Sequence, residues 1–245
     1  MIDLSVIIPT YNSEKHIKDC FDSLKRQDYR NFQVLLADGG STDNTIQIIK
    51  KYKFNLKIVS KKDSSPEEGI NKGLKKVNTN FFCILMSDDL MYQKNYFSKL
   101  IHILKHNKAD VAFPNFGSIV GKKKRFLNQT NNFDRITYKP IVPDIGWVAN
   151  SKVLKEGHFT KSYKLATSYH FLLRLYKKQY KFQRVKSVNY FFRMGGNSFK
   201  DGFLGLKECK NVAISFGGNK YIIYYQFLID YFKFILKYKI IKFKI

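Results

Sequence analysis

Residues 4–12 read Leu4-Ser5-Val6-Ile7-Ile8-Pro9-Thr10-Tyr11-Asn12, an apolar run that ends abruptly in a polar turn. Val6, Ile7 and Ile8 leave no polar face for water, the pattern of a strand buried on both sides. The same unit recurs outward from it. Residues 13–27 place Ile17, Phe21 and Leu24 at helical spacing, with Ser13 as the expected N-cap. Residues 32–37 form a second apolar strand that runs into Asp38-Gly39-Gly40, and a helix is expected near 43–52. A third strand is expected at 54–59, a helix at 67–76, and a fourth, very apolar strand at 81–86. Strand and helix alternating at this spacing predict an α/β fold, with a mostly parallel sheet covered by helices on both faces. Ligands of such sheets sit at the carboxyl ends of the strands, so the informative residues are those that follow each one.

The second half is less regular. A helix is expected near 94–106, apolar runs cover 109–120, and 121–145 is polar and loop-like. A short helix near 150–156, a helix over about 168–178, strand-like runs at 181–193 and a helix from about 203 complete the pattern. No linker or repeat divides the chain, so one domain is expected over 1–218. Residues 219–245 differ in character. They are rich in Tyr, Phe, Ile and Lys, with Asp230 as their one acid. Ile222, Tyr225, Ile229, Phe232, Leu236 and Ile240 fall on one helical face. This suits an interfacial helix on an anionic membrane surface, or a terminal helix whose apolar face packs on the domain.

Of the 245 residues, 44 are Lys or Arg and 19 are Asp or Glu, a net charge of +25. That excess suggests a polyanionic partner, although the abundance of Lys, Asn, Ile, Phe and Tyr also fits AT-rich codon usage. No helix-turn-helix, zinc-finger or RNA-recognition pattern is present, so nucleic acid is not the expected partner. Cys20, Cys83 and Cys209 are scattered, which fits reduced thiols in a cytoplasmic protein. A strand follows Met1 directly, so no signal peptide is expected, and no apolar run is long enough to cross a bilayer.

Four turns carry chemistry. Ser87-Asp88-Asp89 follows the fourth strand and offers carboxylates to a hard divalent cation such as Mg²⁺ or Mn²⁺; the same pair would also suit a helix-capping turn. Asp38-Gly39-Gly40-Ser41-Thr42-Asp43 lets the backbone approach a ligand, while Thr42 or Asp43 can cap the next helix. It is neither G-x-G-x-x-G nor a Walker A loop, which disfavours a dinucleotide site or P-loop. The strand-to-turn segment 5–12 is the third. Asp63-Ser64-Ser65-Pro66-Glu67-Glu68-Gly69-Ile70-Asn71-Lys72-Gly73 is the fourth. Together they bring acid, amide and cation to one sheet edge.

In this order and spacing, the segments resemble the family 2 glycosyltransferases of the GT-A fold. Phe171–Leu175 and Phe192–Ser198 look like the C-terminal signature of the bacterial branch that builds O-antigen and capsule. The resemblance implies a nucleotide-sugar half over about 1–115 and an acceptor half over about 116–218. It implies a nucleotide-sugar donor, most often UDP-linked. Thr10 and Tyr11 would line the uracil and Asp38 would take the base edge. Pro9, Asn12, Gly40, Asp63, Asn71, Lys72 and Ser87 would complete the donor site. Asp88 matches the metal-binding acid for Mn²⁺ or Mg²⁺, and Asp89 stands beside it near the sugar. Met86 occupies the place of the first Asp of the family's D-x-D triplet.

The acceptor implied is a lipid-linked saccharide, met by a peripheral enzyme on the inner face of the cytoplasmic membrane. The reaction implied is one inverting displacement. Relatives place their general base in a segment like Ala-Ser-Asp-Tyr-Asp; here it reads Ala166-Thr167-Ser168-Tyr169-His170. Ser168 is a poor base and reads as a helix N-cap. His170 and Asp144 are then the candidate bases, although two residues along a helix point about 200° apart, which separates His170 from the Ser168 position. The missing acid also admits a degenerate protein that binds a nucleotide-sugar as a scaffold without transferring it.

Overall fold

The computed structural model describes residues 2–120, 123–126, 130, 132–193 and 201–242. The expected alternation is present: β1 (Leu4–Thr10), α1 (Ile17–Lys25), β2 (Phe32–Asp38), α2 (Thr45–Ile49), β3 (Leu56–Ser60), α3 (Pro66–Leu74), β4 (Phe81–Ile84) and α4 (Tyr96–His106). The second half adds β5 (Val111–Val120), β6 (Lys123–Phe126), β7 (Val148–Asn150), α5 (Thr167–Lys177), β8 (Phe182–Arg193), α6 (Gly202–Ser215) and α7 (Lys220–Lys242), with 3₁₀ turns at Phe133–Thr137 and Ser151–Glu156.

The eight strands make one sheet in the order β3-β2-β1-β4-β7-β5-β6, with β8 paired to β5. The strands β3, β2, β1 and β4 are mutually parallel. The chain steps outward from β1 to β3 and returns to the other side of β1 for β4, so the topological switch lies beside β1, where α/β sheets bind ligands. Register sets the site: Thr10 lies opposite Asp38, and Asp38 opposite Ser60.

Both faces of β1 are buried, as its apolar run predicts. Leu4, Val6 and Ile8 join a core with Ile17 and Phe21 of α1 and Phe97 and Leu100 of α4. Ile7 faces a second core with Ile70 and Leu74 of α3, Phe171 of α5 and Val212 of α6. The approach of α3 needs Gly73: a Cβ there would lie 2.4 Å from Ile7 Cγ2.

Three expectations change in detail. First, α1 starts at Ile17 rather than at 13, because the Ser13 hydroxyl donates to Tyr11 O at 3.2 Å and meets Ser87 Oγ at 2.8 Å instead of capping a helix. Second, the segment near 150–156 is a 3₁₀ turn, and a strand of three residues, β7, precedes it unforeseen and lies antiparallel to β4. Third, the tail helix packs one side along α6, with Tyr231 against Phe203 at 5.3 Å and Lys210 over Tyr224 and Phe227. Of its expected face Ile222, Tyr225, Phe232 and Leu236 are exposed, with Tyr221 and Leu228 exposed alongside, and Ile229 is half-buried. Ile240 and residues 194–198 of the C-terminal signature fall outside the described side chains.

Candidate active site

The four turns converge at the carboxyl edge of β1, β2, β3 and β4. Asp38 is 2% exposed. Its carboxylate accepts from Gly40 N at 3.2 Å, Ser41 Oγ at 2.5 Å and Ser60 Oγ at 2.7 Å. A buried carboxylate with this many donors holds its turn rigidly. Asp38 therefore shapes the pocket, and a base edge approaching it would share an acceptor already in use. Asn12, at φ 45°, accepts from Thr42 N at 2.9 Å through its side chain and donates its own N–H to Ser41 Oγ at 3.0 Å, clasping the first two turns together.

Tyr11 is 63% exposed at this edge. A Cβ on Gly39 would lie 3.5 Å from both the Tyr11 ring and the Asp63 carboxylate, so ring, glycine and acid border one slot. Pro9 lies beside Gly69, and Thr10 is buried. Lys72 is paired with Asp63 and also donates to Lys61 O at 3.0 Å and Lys62 O at 3.2 Å. Burial, then the charges of Lys61 and Lys161, push the Lys72 ammonium down even with Asp63 against it. The excess positive field suits a diphosphate. Asn71 is turned elsewhere: its amide donates to Phe159 O at 2.9 Å and accepts from Phe159 N at 3.0 Å, bracing α3 against the segment before α5.

Ser87 and Asp88 are half-buried at the end of β4. Asp89 is not placed for acid–base work. It is 4% exposed and accepts from the Tyr190 hydroxyl and, at 3.1 Å, from Met86 N, closing the turn that presents Asp88. Among the described residues no group of three or more His, Cys, Asp or Glu is gathered to hold a metal. One carboxylate, with Met86 where a second would stand, fits a hard cation that draws its remaining oxygen ligands from diphosphate and water. Asp88 would be the protein ligand in such a mode.

Residues 144–147 lie between the end of β4 and α5. Gly146, at φ +86°, donates to Ile84 O at 3.0 Å and so docks this segment on the end of β4. Its carbonyl accepts from Tyr96 Oη at 2.5 Å. The Asp144 carbonyl accepts from Trp147 Nε1 at 3.1 Å and from the Ser168 hydroxyl. The Asp144 side chain is exposed, yet burial by surrounding protein pushes its carboxyl up to about 6.

Ser168 does not cap α5: the N-cap is Ala166, without a side-chain bond. Glu208 of α6 instead holds the segment entering α5: its carboxylate accepts from Lys164 N at 2.9 Å, Leu165 N at 2.7 Å and Ala166 N at 3.0 Å. His170 points away from Ser168. Its ring lies against Tyr163 and, at 5.1 Å, Phe216, and its buried Nδ1 has no hydrogen-bond partner. Burial and then Arg174 push its pKa down. Glu208 and Tyr190 are the functional-site residues that sequence reasoning missed, since neither lies in a motif.

The family profile described as Glycosyl transferase family 2 matches residues 5–198. The poly(ribitol-phosphate) β-N-acetylglucosaminyltransferase TarS of Staphylococcus aureus is 31% identical over 172 residues, covering 68% of this chain and 28% of TarS. A crystal structure of TarS 1-349 with UDP-GlcNAc superposes with a TM-score of 0.70 at 23% identity, over 90% of this chain and 70% of that one. A dolichyl N-acetyl-α-D-glucosaminyl phosphate glucuronosyltransferase of Methanococcus voltae is 40% identical over 88 residues, 33% of this chain and 27% of that enzyme. The mannosyltransferase PcManGT of Pyrobaculum calidifontis, solved with GDP-Man and Mn²⁺, matches with a TM-score of 0.68 at 16% identity, over 85% of this chain and 62% of that one. The chain thus spans under a third of the length of these two curated relatives, and the structural matches establish its GT-A architecture.

Proposed function

The chain belongs to glycosyl transferase family 2, and from that premise we propose that it transfers a sugar from a UDP-linked donor to a hydroxyl of a lipid-linked saccharide, with inversion at the anomeric carbon. The observation that carries this reading is the convergence of Tyr11, Asp38, Lys72 and Asp88 on the carboxyl edge of β1–β4. Tyr11 offers an exposed ring face to a uracil, as aromatic stacking favours. The Lys72 neighbourhood draws in the diphosphate. Asp88 would hold Mn²⁺ or Mg²⁺ against that diphosphate, and the chemistry such a cation supplies is neutralisation of charge on the leaving group.

Asp144 is the base of this reading. Its carboxylate takes the proton of the acceptor hydroxyl as that oxygen bonds to the anomeric carbon and the bond from carbon to diphosphate breaks. A carboxyl raised to about 6 is ionised near neutral pH and a better proton acceptor than an ordinary aspartate. His170 is set aside because its ring packs against Tyr163 and Phe216. The name of the Methanococcus voltae relative, which acts on a dolichyl-phosphate sugar, supports a lipid-carried acceptor. The cytoplasmic side of a membrane is where such a donor and acceptor meet.

The test is UDP release from a panel of UDP-sugars with Mn²⁺ and a lipid-linked saccharide extract. Turnover that disappears in Asp88→Ala is expected. Turnover unchanged in Asp88→Ala, or UDP binding without transfer from any donor, would overturn the reading, the latter in favour of a scaffold.

A further inference from the structure

We propose that the outer face of α7 docks on an anionic lipid surface, with the helix lying in the headgroup plane. This goes beyond the transferase reading and does not depend on turnover.

The face is defined by packing. Ile223, Gln226 and Phe227 turn toward α6 and the domain, and Asp230 accepts from Gln226 Nε2 at 2.8 Å. On the opposite side Tyr221, Tyr225, Leu228, Phe232 and Leu236 are between 50% and 88% exposed. At about 100° per residue these five fall within an arc of about 80°. The helix is therefore apolar on both sides: one side is satisfied by α6 and the other is bare. An exposed stripe of large side chains over four turns marks a contact surface rather than scattered surface residues.

Charge selects the occupant. Lys220, Lys233, Lys237, Lys239, Lys242 and Lys244 accompany the stripe in sequence, and the one acid of the segment, Asp230, belongs to the inner side. A second copy meeting this face would set two lysine-rich helices against each other, in a chain whose net charge is already +25. Anionic headgroups answer that charge, and tyrosines beside leucine and phenylalanine suit the boundary between headgroup and acyl chain. Among the described residues no helix is long and apolar enough to cross a membrane, which leaves the interfacial arrangement.

The surface is mechanically joined to the proposed acceptor side. α6 carries α7 and, through Glu208, holds the segment entering α5, while Lys164 Nζ pairs with Asp201 at 2.6 Å. One helix thus separates the docked face from the segment that binds Asp144.

The test is flotation of the full chain with phosphatidylcholine vesicles, with and without phosphatidylglycerol. Binding to the anionic vesicles, weakened by salt, is expected. The triple variant Tyr225→Ser, Leu228→Ser, Phe232→Ser should partition about tenfold less or worse, with an unchanged thermal melt because all three side chains are exposed. The charge reversals Lys220→Glu and Lys233→Glu give a second readout if the triple variant folds poorly, and should weaken binding at low salt. Equal flotation of wild type and variants would overturn the proposal. So would failure to bind either vesicle, or a dimer in light scattering that the triple variant dissociates.

Discussion

The Ser168 hydroxyl donates a hydrogen bond to the main-chain carbonyl of Asp144. Ser168 occupies the position where family relatives carry the base, so the residue that lacks the carboxylate holds in place the segment that has one. Trp147 Nε1 grips the same carbonyl at 3.1 Å, and Gly146 N pins the segment to β4 at 3.0 Å. Two bonds fix the carbonyl of Asp144 and a third fixes its segment on β4, while the carboxyl takes part in none of the three.

Asp144→Asn keeps the shape and removes the proton acceptor. Turnover should fall by about 10²–10⁴-fold, the usual worth of a general base, while UDP binding measured by calorimetry stays within about twofold. Ser168→Ala should cost far less, about tenfold at most, because it removes one hydrogen bond worth about 1 kcal/mol. In the Asp144→Asn background Ser168→Ala should cost nothing further, since residues that act as a unit are not additive. Equal losses from the two single variants would place the chemistry at Ser168 instead.

The pH dependence follows from the raised carboxyl. A base must be ionised, so kcat/KM should climb as pH rises through about 6 and level off above it. Stability runs the other way. Between the ordinary aspartate value and about 6 the folded state binds the proton more tightly than the unfolded chain, so this group's contribution falls as pH rises through that window. Asp144→Asn should therefore melt at or above the wild-type temperature at pH 8, with the gap closing by pH 4. An acidic limb absent from the wild-type rate profile would remove Asp144 from the reaction.

The first half was legible because its signals are local. Each strand runs straight into its own turn, and Asp38 accepts from Gly40 and Ser41, two and three positions on. The second half rests on contacts between residues far apart in sequence. Ser168 meets Asp144 across 24 positions, Leu165 meets Glu208 across 43, and Tyr190 meets Asp89 across 101. No spacing rule reveals such pairs. For the same reason β7, three residues long, carried too little pattern to be read, and Asp89 looked like a ligand when it is a buried anchor. In the tail, helical spacing found the exposed face in Ile222, Tyr225, Phe232 and Leu236 but not the half-burial of Ile229, because apolar residues on both sides of α7 hide which side α6 covers.

Glu208→Ala should loosen the proposed acceptor side without touching substrate. The carboxylate accepts from three consecutive amides, Lys164, Leu165 and Ala166. Charge-assisted bonds of this kind are worth about 1.5–3 kcal/mol. A loss of about 2 kcal/mol in urea unfolding is expected, with KM for the acceptor raised and KM for the donor nearly unchanged. A variant as stable as wild type would show that α5 holds its start without this carboxylate.

Tyr190→Phe isolates the anchor under the metal-side turn. The variant keeps the ring that packs against Gly146 and deletes the hydroxyl that Asp89 accepts. Asp89 keeps the Met86 amide but loses a donor at 4% exposure. A buried carboxylate short of one hydrogen bond costs about 1–3 kcal/mol, so unfolding should weaken by about 2 kcal/mol. Asp89→Asn in the Tyr190→Phe background should recover part of that loss, because a neutral amide tolerates the missing donor better than a charge does. The turn that presents Asp88 should loosen in step, so the apparent Mn²⁺ requirement in the turnover assay should shift to higher concentration. Two single losses that simply add in the double variant would mean that Tyr190 and Asp89 stabilise the fold independently and that the hydroxyl does not hold the turn.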